Sequence, residues 1–92
     1  MGTLSKLRVD FNLLESLPLE LGRLEKLEVL TASNNIIRHL PHSLFHLTEK
    51  LQILQVNDNK IKRLSPYIGN LRKLKVLLLH NNLLRTLPSE IM

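Results

Sequence analysis

The residues in this chain best suited to chemistry are three histidines, His39, His42 and His46, spaced H-x-x-H-x-x-x-H. Imidazoles four residues apart on a helix, as His42 and His46 are, can share a transition metal. Pro41 stands between His39 and the other two, so one helix cannot carry all three. No neighbouring carboxylate is placed to orient the rings, as metal sites require. No metal site is therefore expected. The acids Asp10, Glu15, Glu20, Glu25, Glu28, Glu49, Asp58 and Glu90 are scattered, and none is paired with a nucleophile. There is no glycine-rich phosphate loop, and the absence of cysteine excludes a disulfide framework or thiolate metal site. The expectation is a non-enzymatic chain without a cofactor.

The elements that position these residues come from a repeated phrase. Leu4, Leu27, Leu51 and Leu74 each open the pattern L-x-x-L-x-[LVA]-x-x-N-x-[LI]-x-x-L, at intervals of 23, 24 and 23 residues. A fixed period in this range marks a stacked-repeat architecture. Numbering each opening Leu as position 1, apolar residues fill positions 1, 4, 6, 11, 14, 18 and 21. In the third unit these are Leu51, Leu54, Val56, Ile61, Leu64, Ile68 and Leu71. The alternation at positions 4 and 6 fits a short strand with one buried face, and the later L-x-x-L fits a helical or 3₁₀ turn. A continuous leucine-rich helix or coiled coil is the rival reading, but Pro18, Pro41, Pro66 and Pro88 would break it. Pro18, Pro41 and Pro88 stand at the entry to the second segment, where the first helical turn needs no N–H, and Pro66 comes one residue later. Gly22 and Gly69 share position 19 and are expected to relax the outer turn.

The recurrent Asn12, Asn35, Asn59 and Asn82 follow each strand, where the chain bends inward and leaves backbone polar groups without partners. An amide side chain both donates and accepts, so the stacked asparagines should form a ladder that satisfies them. Their expected role is architectural, not recognition.

This pattern resembles the leucine-rich repeat family. The consensus L-x-x-L-x-L-x-x-N-x-L is met in every unit, with Val9, Ala32 and Val56 as variants, and the L-P-x-x-[LI]-x-x-L continuation resembles the intracellular Ras-suppressor and Scribble-like subgroup. The resemblance implies an α/β solenoid of about four 23–24-residue units, forming a single region over residues 1–92. It implies a parallel sheet on the concave face and short helical or irregular turns on the convex face. It further implies a protein–protein interaction module or scaffold segment. A targeting or substrate-recognition segment of a multidomain signalling enzyme is the alternative. A small GTPase or another signalling protein is the partner class that the resemblance implies. Two departures fall on connections: an extra residue within Thr48-Glu49-Lys50, expected to bulge, and the shifted turn at Leu64-Ser65-Pro66.

In such a stack the side chains at positions 3, 5, 7 and 8 point outward from the concave sheet. Val29, Ile53 and Val76 then form an exposed apolar column, with Leu78 beside its end. The candidate partner-binding residues are Val29, Thr31, Ile53, Gln55, Asn57, Val76, Leu78 and His80. β-Branched residues also suit any strand, which is the structural alternative. Just past the bend, Arg38, Lys62 and Arg85, with His39 and Arg63, form a basic edge suited to an acidic protein patch. Nucleic acid is not expected, because neither aromatic stacking partners nor a groove-shaped element accompanies the cations. The three histidines fall on solvent-facing positions 13, 16 and 20.

The longest apolar run, Val76–Leu79, is far too short to span a membrane. No signal peptide or N-x-[ST] sequon occurs, so a cytoplasmic location is expected, with the nucleus as the alternative. Met1-Gly2 would suit myristoylation, but Lys6 stands where that motif requires Ser or Thr. The last unit is incomplete and neither end carries a polar cap, so end-to-end association and a longer parent solenoid are expected. Size points the same way. The concave sheet offers on the order of 250 Å², against about 800 Å² per partner in a standard interface.

Overall fold

The computed structural model describes residues 3–47 and 49–85. Met1, Gly2, Thr48, Leu87, Pro88 and Ile91, which the repeat reading also uses, lie outside the described residues. Strands β1 (Lys6–Arg8), β2 (Val29–Thr31), β3 (Ile53–Gln55) and β4 (Val76–Leu78) alternate with 3₁₀ helices η1 (Leu19–Arg23), η2 (His42–His46) and η3 (Pro66–Asn70). The strands form one parallel sheet in chain order. Lys6 pairs with Val29, Val29 with Ile53, and Ile53 with Val76, so equivalent repeat positions sit side by side. The leucines and their substitutes point between sheet and turns. Leu27, Leu30, Ile37, Leu44, Leu51, Leu54 and Ile61 are wholly buried. The corresponding Leu7, Val9, Leu74 and Leu77 of the outer units are only partly buried against this core.

Pro18 and Pro41 stand at the entry to the second segment, as expected, one residue before the first helical turn. They cap η1 and η2 in extended conformation, and their carbonyls accept from Leu21 N and Leu44 N at 3.1 and 3.0 Å. Among the described residues, only Pro66 occupies the first helical turn. There Ser65 is the cap, and its hydroxyl accepts the Tyr67 N–H at 3.2 Å. Proline suits both places because neither asks for an N–H. The extra residue of the second unit is absorbed as expected at a connection. Leu27 and Leu74 donate to Leu24 and Leu71, three residues back, whereas Leu51 donates to Leu47, four back. The strand register is unaffected.

Gly22 plays a different part from the one expected. Its φ is not positive, so it does not relax the turn by conformational freedom. A Cβ there would lie 2.6 Å from the Ser43 carbonyl oxygen and 2.8 Å from Ser43 Cβ. The glycine lets η1 and η2 stack closely.

A further regularity is legible only once the units are phased. Position 8, occupied by Phe11, Asn34, Asp58 and Asn81, is left-handed in every unit, with φ of 56°, 57°, 59° and 57°. Asn and Asp tolerate this region; a bulky side chain does not. Phe11 is 79% exposed, so little packing offsets the strain. Phe11→Asn should therefore stabilise the chain by about 1 kcal/mol, raising its thermal midpoint by roughly 5 °C. A midpoint unchanged or lowered in a circular-dichroism melt would show that the phenyl ring packs favourably.

Candidate functional site

The asparagine ladder is present, and it has a direction. Asn59 Nδ2 donates to Val56 O (3.0 Å) and Asn57 O (3.2 Å) in its own turn, and to Ala32 O (2.9 Å) in the preceding unit. Its Oδ1 accepts the buried Ile37 N–H at 3.0 Å. Asn35 serves Val9 O, Asn12 N and Leu14 N in the same way, and Asn82 serves Val56 O and Ile61 N. The exposed Asn12 side chain bonds only Val9 O and Asp10 O of its own unit. Among the described residues no buried side-chain polar atom lacks a partner.

The concave face differs from the open surface that alternation suggests. Val29 is 8% exposed and Thr31 only 1%, so neither is free to meet a partner broadly. Two causes act together. Thr31 lies between Arg8 and Gln55, and Val29 between Lys6 and Ile53, so longer side chains flank both on neighbouring strands. Thr31 is also tied down, its hydroxyl donating to Asp10 Oδ2 at 2.8 Å. Ile53, Gln55, Asn57 and Leu78 are half-buried, while Val76 and His80 are exposed. The apolar column therefore opens towards β3 and β4 instead of running the length of the sheet.

Positions 7 and 8 carry a polar chain that repeat spacing did not reveal. Asp10 Oδ1 accepts the Ser33 N–H (2.7 Å), and Ser33 Oγ donates to Asn57 Oδ1 (2.9 Å). Asn57 Nδ2 then donates to Asp58 Oδ2 (2.7 Å), and Asn81 Nδ2 donates to Asp58 Oδ1 (2.9 Å). His80 Nε2 stands 3.9 Å from Asp58 Oδ2. The Asn57 and Asn81 amides, then the nearby His80, hold the Asp58 carboxyl below its usual value. Stability from this anion is present above the unfolded value of about 3.9. It is lost as pH falls through the lower folded value. The signal for this chain was a column of small acceptors and donors (Asp10, Ser33, Asn57), whose pairing depends on side-chain rotamers.

Behind the bend, Arg38, His39, Lys62, Arg63 and Arg85 are all exposed, as the basic-edge reading requires. Position 13 pairs in parallel, Ser16 beside His39. His42 and His46 lie on η2, exposed, and His39 lies on the preceding bridge. Among the described residues no three His, Cys, Asp or Glu side chains converge as a metal site would need, and no helix is long and apolar enough to cross a membrane.

A parallel sheet of one strand per unit, closed by an asparagine ladder and short 3₁₀ turns, defines the leucine-rich repeat solenoid. A leucine-rich repeat protein of Leptospira interrogans matches with TM-score 0.87 and 33% identity, over 96% of this chain and 22% of that one. This likeness supports the leucine-rich repeat family, and the chain spans about a fifth of that neighbour's length. A chain in the BIR3–SERK2 complex of Arabidopsis thaliana shares the fold, with TM-score 0.60 and 20% identity over 92% of this chain and 60% of that one. No protein-family model and no curated protein matches the sequence.

Proposed function

We propose that this chain is a non-catalytic protein-interaction module, and that it grips its partner with the β3–β4 part of the concave sheet. The carrying observation is the half-open apolar group of Ile53, Val76 and Leu78, bordered by Gln55, Asn57 and His80. Val29 and Thr31 flank this surface on the neighbouring strand β2. Exposed apolar side chains within a polar rim are the usual composition of a recognition patch. The likeness to a chain solved within a complex of two proteins also supports a protein partner. The finer reading follows the sequence resemblance: a scaffold segment of the Ras-suppressor and Scribble-like kind, cytoplasmic or nuclear, meeting a small GTPase or other signalling protein with an acidic patch. Self-association through the partly buried Leu7 and Leu74 regions belongs to the same reading.

Photo-crosslinking tests the surface. A crosslinking side chain at Gln55 should capture a defined protein from cell extract, and the same group at the convex, exposed Tyr67 should not. With that protein purified, Val76→Ser plus Leu78→Ser should weaken binding about tenfold or more. The far-UV circular dichroism should stay unchanged. Equal capture from Tyr67, or full affinity in the double variant, would rule the surface out.

A further inference from the structure

Position 19 is glycine in the first and third units, but in the second it is Phe45. Where Gly22 stands, η1 and η2 pack against each other closely; beside Phe45, η3 stands further off from η2. Phe45 is buried in the core and also lines the space beside η3. Pro66, displaced by one position from the other prolines, starts the same helix. Between the second and third units these departures coincide with a cavity of about 320 Å³. Leu40, Phe45, Leu64 and Pro66 form its apolar wall, and His39, Arg63 and Ser65 supply its polar groups. Its volume lies at the lower end of the range for ligand pockets, roughly 300–1,000 Å³.

On the carboxy-terminal side of it the charge has one sign, while Glu15 is the acid at the position of the first unit that corresponds to Arg38 and Lys62. Between Asp58 and Glu90 the sequence contains no acid, yet it contains Lys60, Lys62, Arg63, Arg72, Lys73, Lys75 and Arg85. The ion pairs among the described residues are Arg72–Glu49 and His80–Asp58, so Arg38, Lys62 and Arg63 take part in none. Arg38 and Lys62 occupy the same position in adjacent units, each followed in sequence by a cavity-lining residue, His39 and Arg63. Like charges held side by side on neighbouring units repel, and an anion laid across them relieves the repulsion.

We propose that this lateral cavity is a second docking site, distinct from the concave face, for an acidic peptide segment of a protein partner. One apolar side chain of the peptide seats against Phe45, Leu64 and Pro66. Carboxylates on either side of it meet Arg63 and His39, with Arg38 and Lys62 beyond. A protein segment fits better than a nucleic acid because Phe45 is, among the described residues, the one aromatic residue lining the cavity, too few for a run of stacked bases.

Fluorescence anisotropy with a labelled pentapeptide, one phenylalanine flanked on each side by two aspartates, tests this. Saturable binding is expected. Arg63→Glu and His39→Glu, both at exposed positions, should each weaken it about tenfold. Lys26→Glu, the same charge change as Arg63→Glu but in the first unit, should change it less than about twofold. Replacing the phenylalanine of the probe by alanine should weaken binding about tenfold. The concave double variant Val76→Ser plus Leu78→Ser should leave the peptide's affinity as it was. No saturable binding, equal weakening by Lys26→Glu, indifference to the phenylalanine, loss in the concave variant, or tighter binding of an oligouridylate would each overturn the proposal.

Discussion

Asn59→Ala should lower the stability of this chain by about 2–3 kcal/mol, a fall of roughly 10–20 °C in its thermal midpoint. The cost can be traced atom by atom. Three carbonyls lose a donor, but each keeps another: Ala32 O has Asn35 Nδ2, Val56 O has Asn82 Nδ2, and Asn57 O has the Asn34 N–H. The Ile37 N–H has only Asn59 Oδ1, and Ile37 is wholly buried. One orphaned donor in the interior, together with the space left by the amide, dominates the loss. Asn12→Ala is the internal comparison. Its bonds are solvent-exposed and stay within one unit, so its cost should be under about 1 kcal/mol. Circular-dichroism melts of the two variants suffice. Equal shifts would show that the ladder does not discriminate between buried and exposed rungs.

Gly22→Ala sets two effects of opposite sign against each other. Removing a glycine from the unfolded ensemble ordinarily stabilises by about 0.4–1 kcal/mol, and the backbone here has no positive φ to forbid alanine. Against this, the new methyl meets the Ser43 carbonyl oxygen at 2.6 Å. That oxygen is backbone and cannot swing aside. Ser43 is fixed further by its hydroxyl, which donates to Leu19 O at 2.6 Å. Overpacking of this kind costs about 1–3 kcal/mol, so the clash wins and the net loss should be about 1 kcal/mol. The midpoint should fall by roughly 5–10 °C. A midpoint that rises would show that η1 and η2 separate without cost.

How much the sequence discloses depends on how many neighbours a property needs. The core needs one unit: Leu51, Leu54 and Val56 are buried because of their phase, and the phase is legible from a single repeat. The asparagine column needs two units and is still legible, because the residue never changes. The left-handed bend at position 8 is obscured by Phe11, which breaks the run of Asn and Asp in the other units. Exposure on the concave face is a property of three adjacent units. Thr31 and Gln55 share a repeat position, yet Thr31 is enclosed because a short side chain is flanked by Arg8 and Gln55 and bonded to Asp10. The role of Gly22 likewise depends on Ser43, twenty-one residues on. No single unit contains that information.

The direction of the asparagine bonds has a consequence for how the chain is assembled. Each interior rung reaches back to the backbone of the preceding unit: Asn35 to Val9, Asn59 to Ala32 and Ile37, Asn82 to Val56 and Ile61. A chain emerging amino-terminus first from the ribosome therefore cannot finish a turn when that turn appears. It finishes it some two dozen residues later, when the next asparagine arrives. Maturation runs one unit behind synthesis, and the newest coil is always the one still open to solvent.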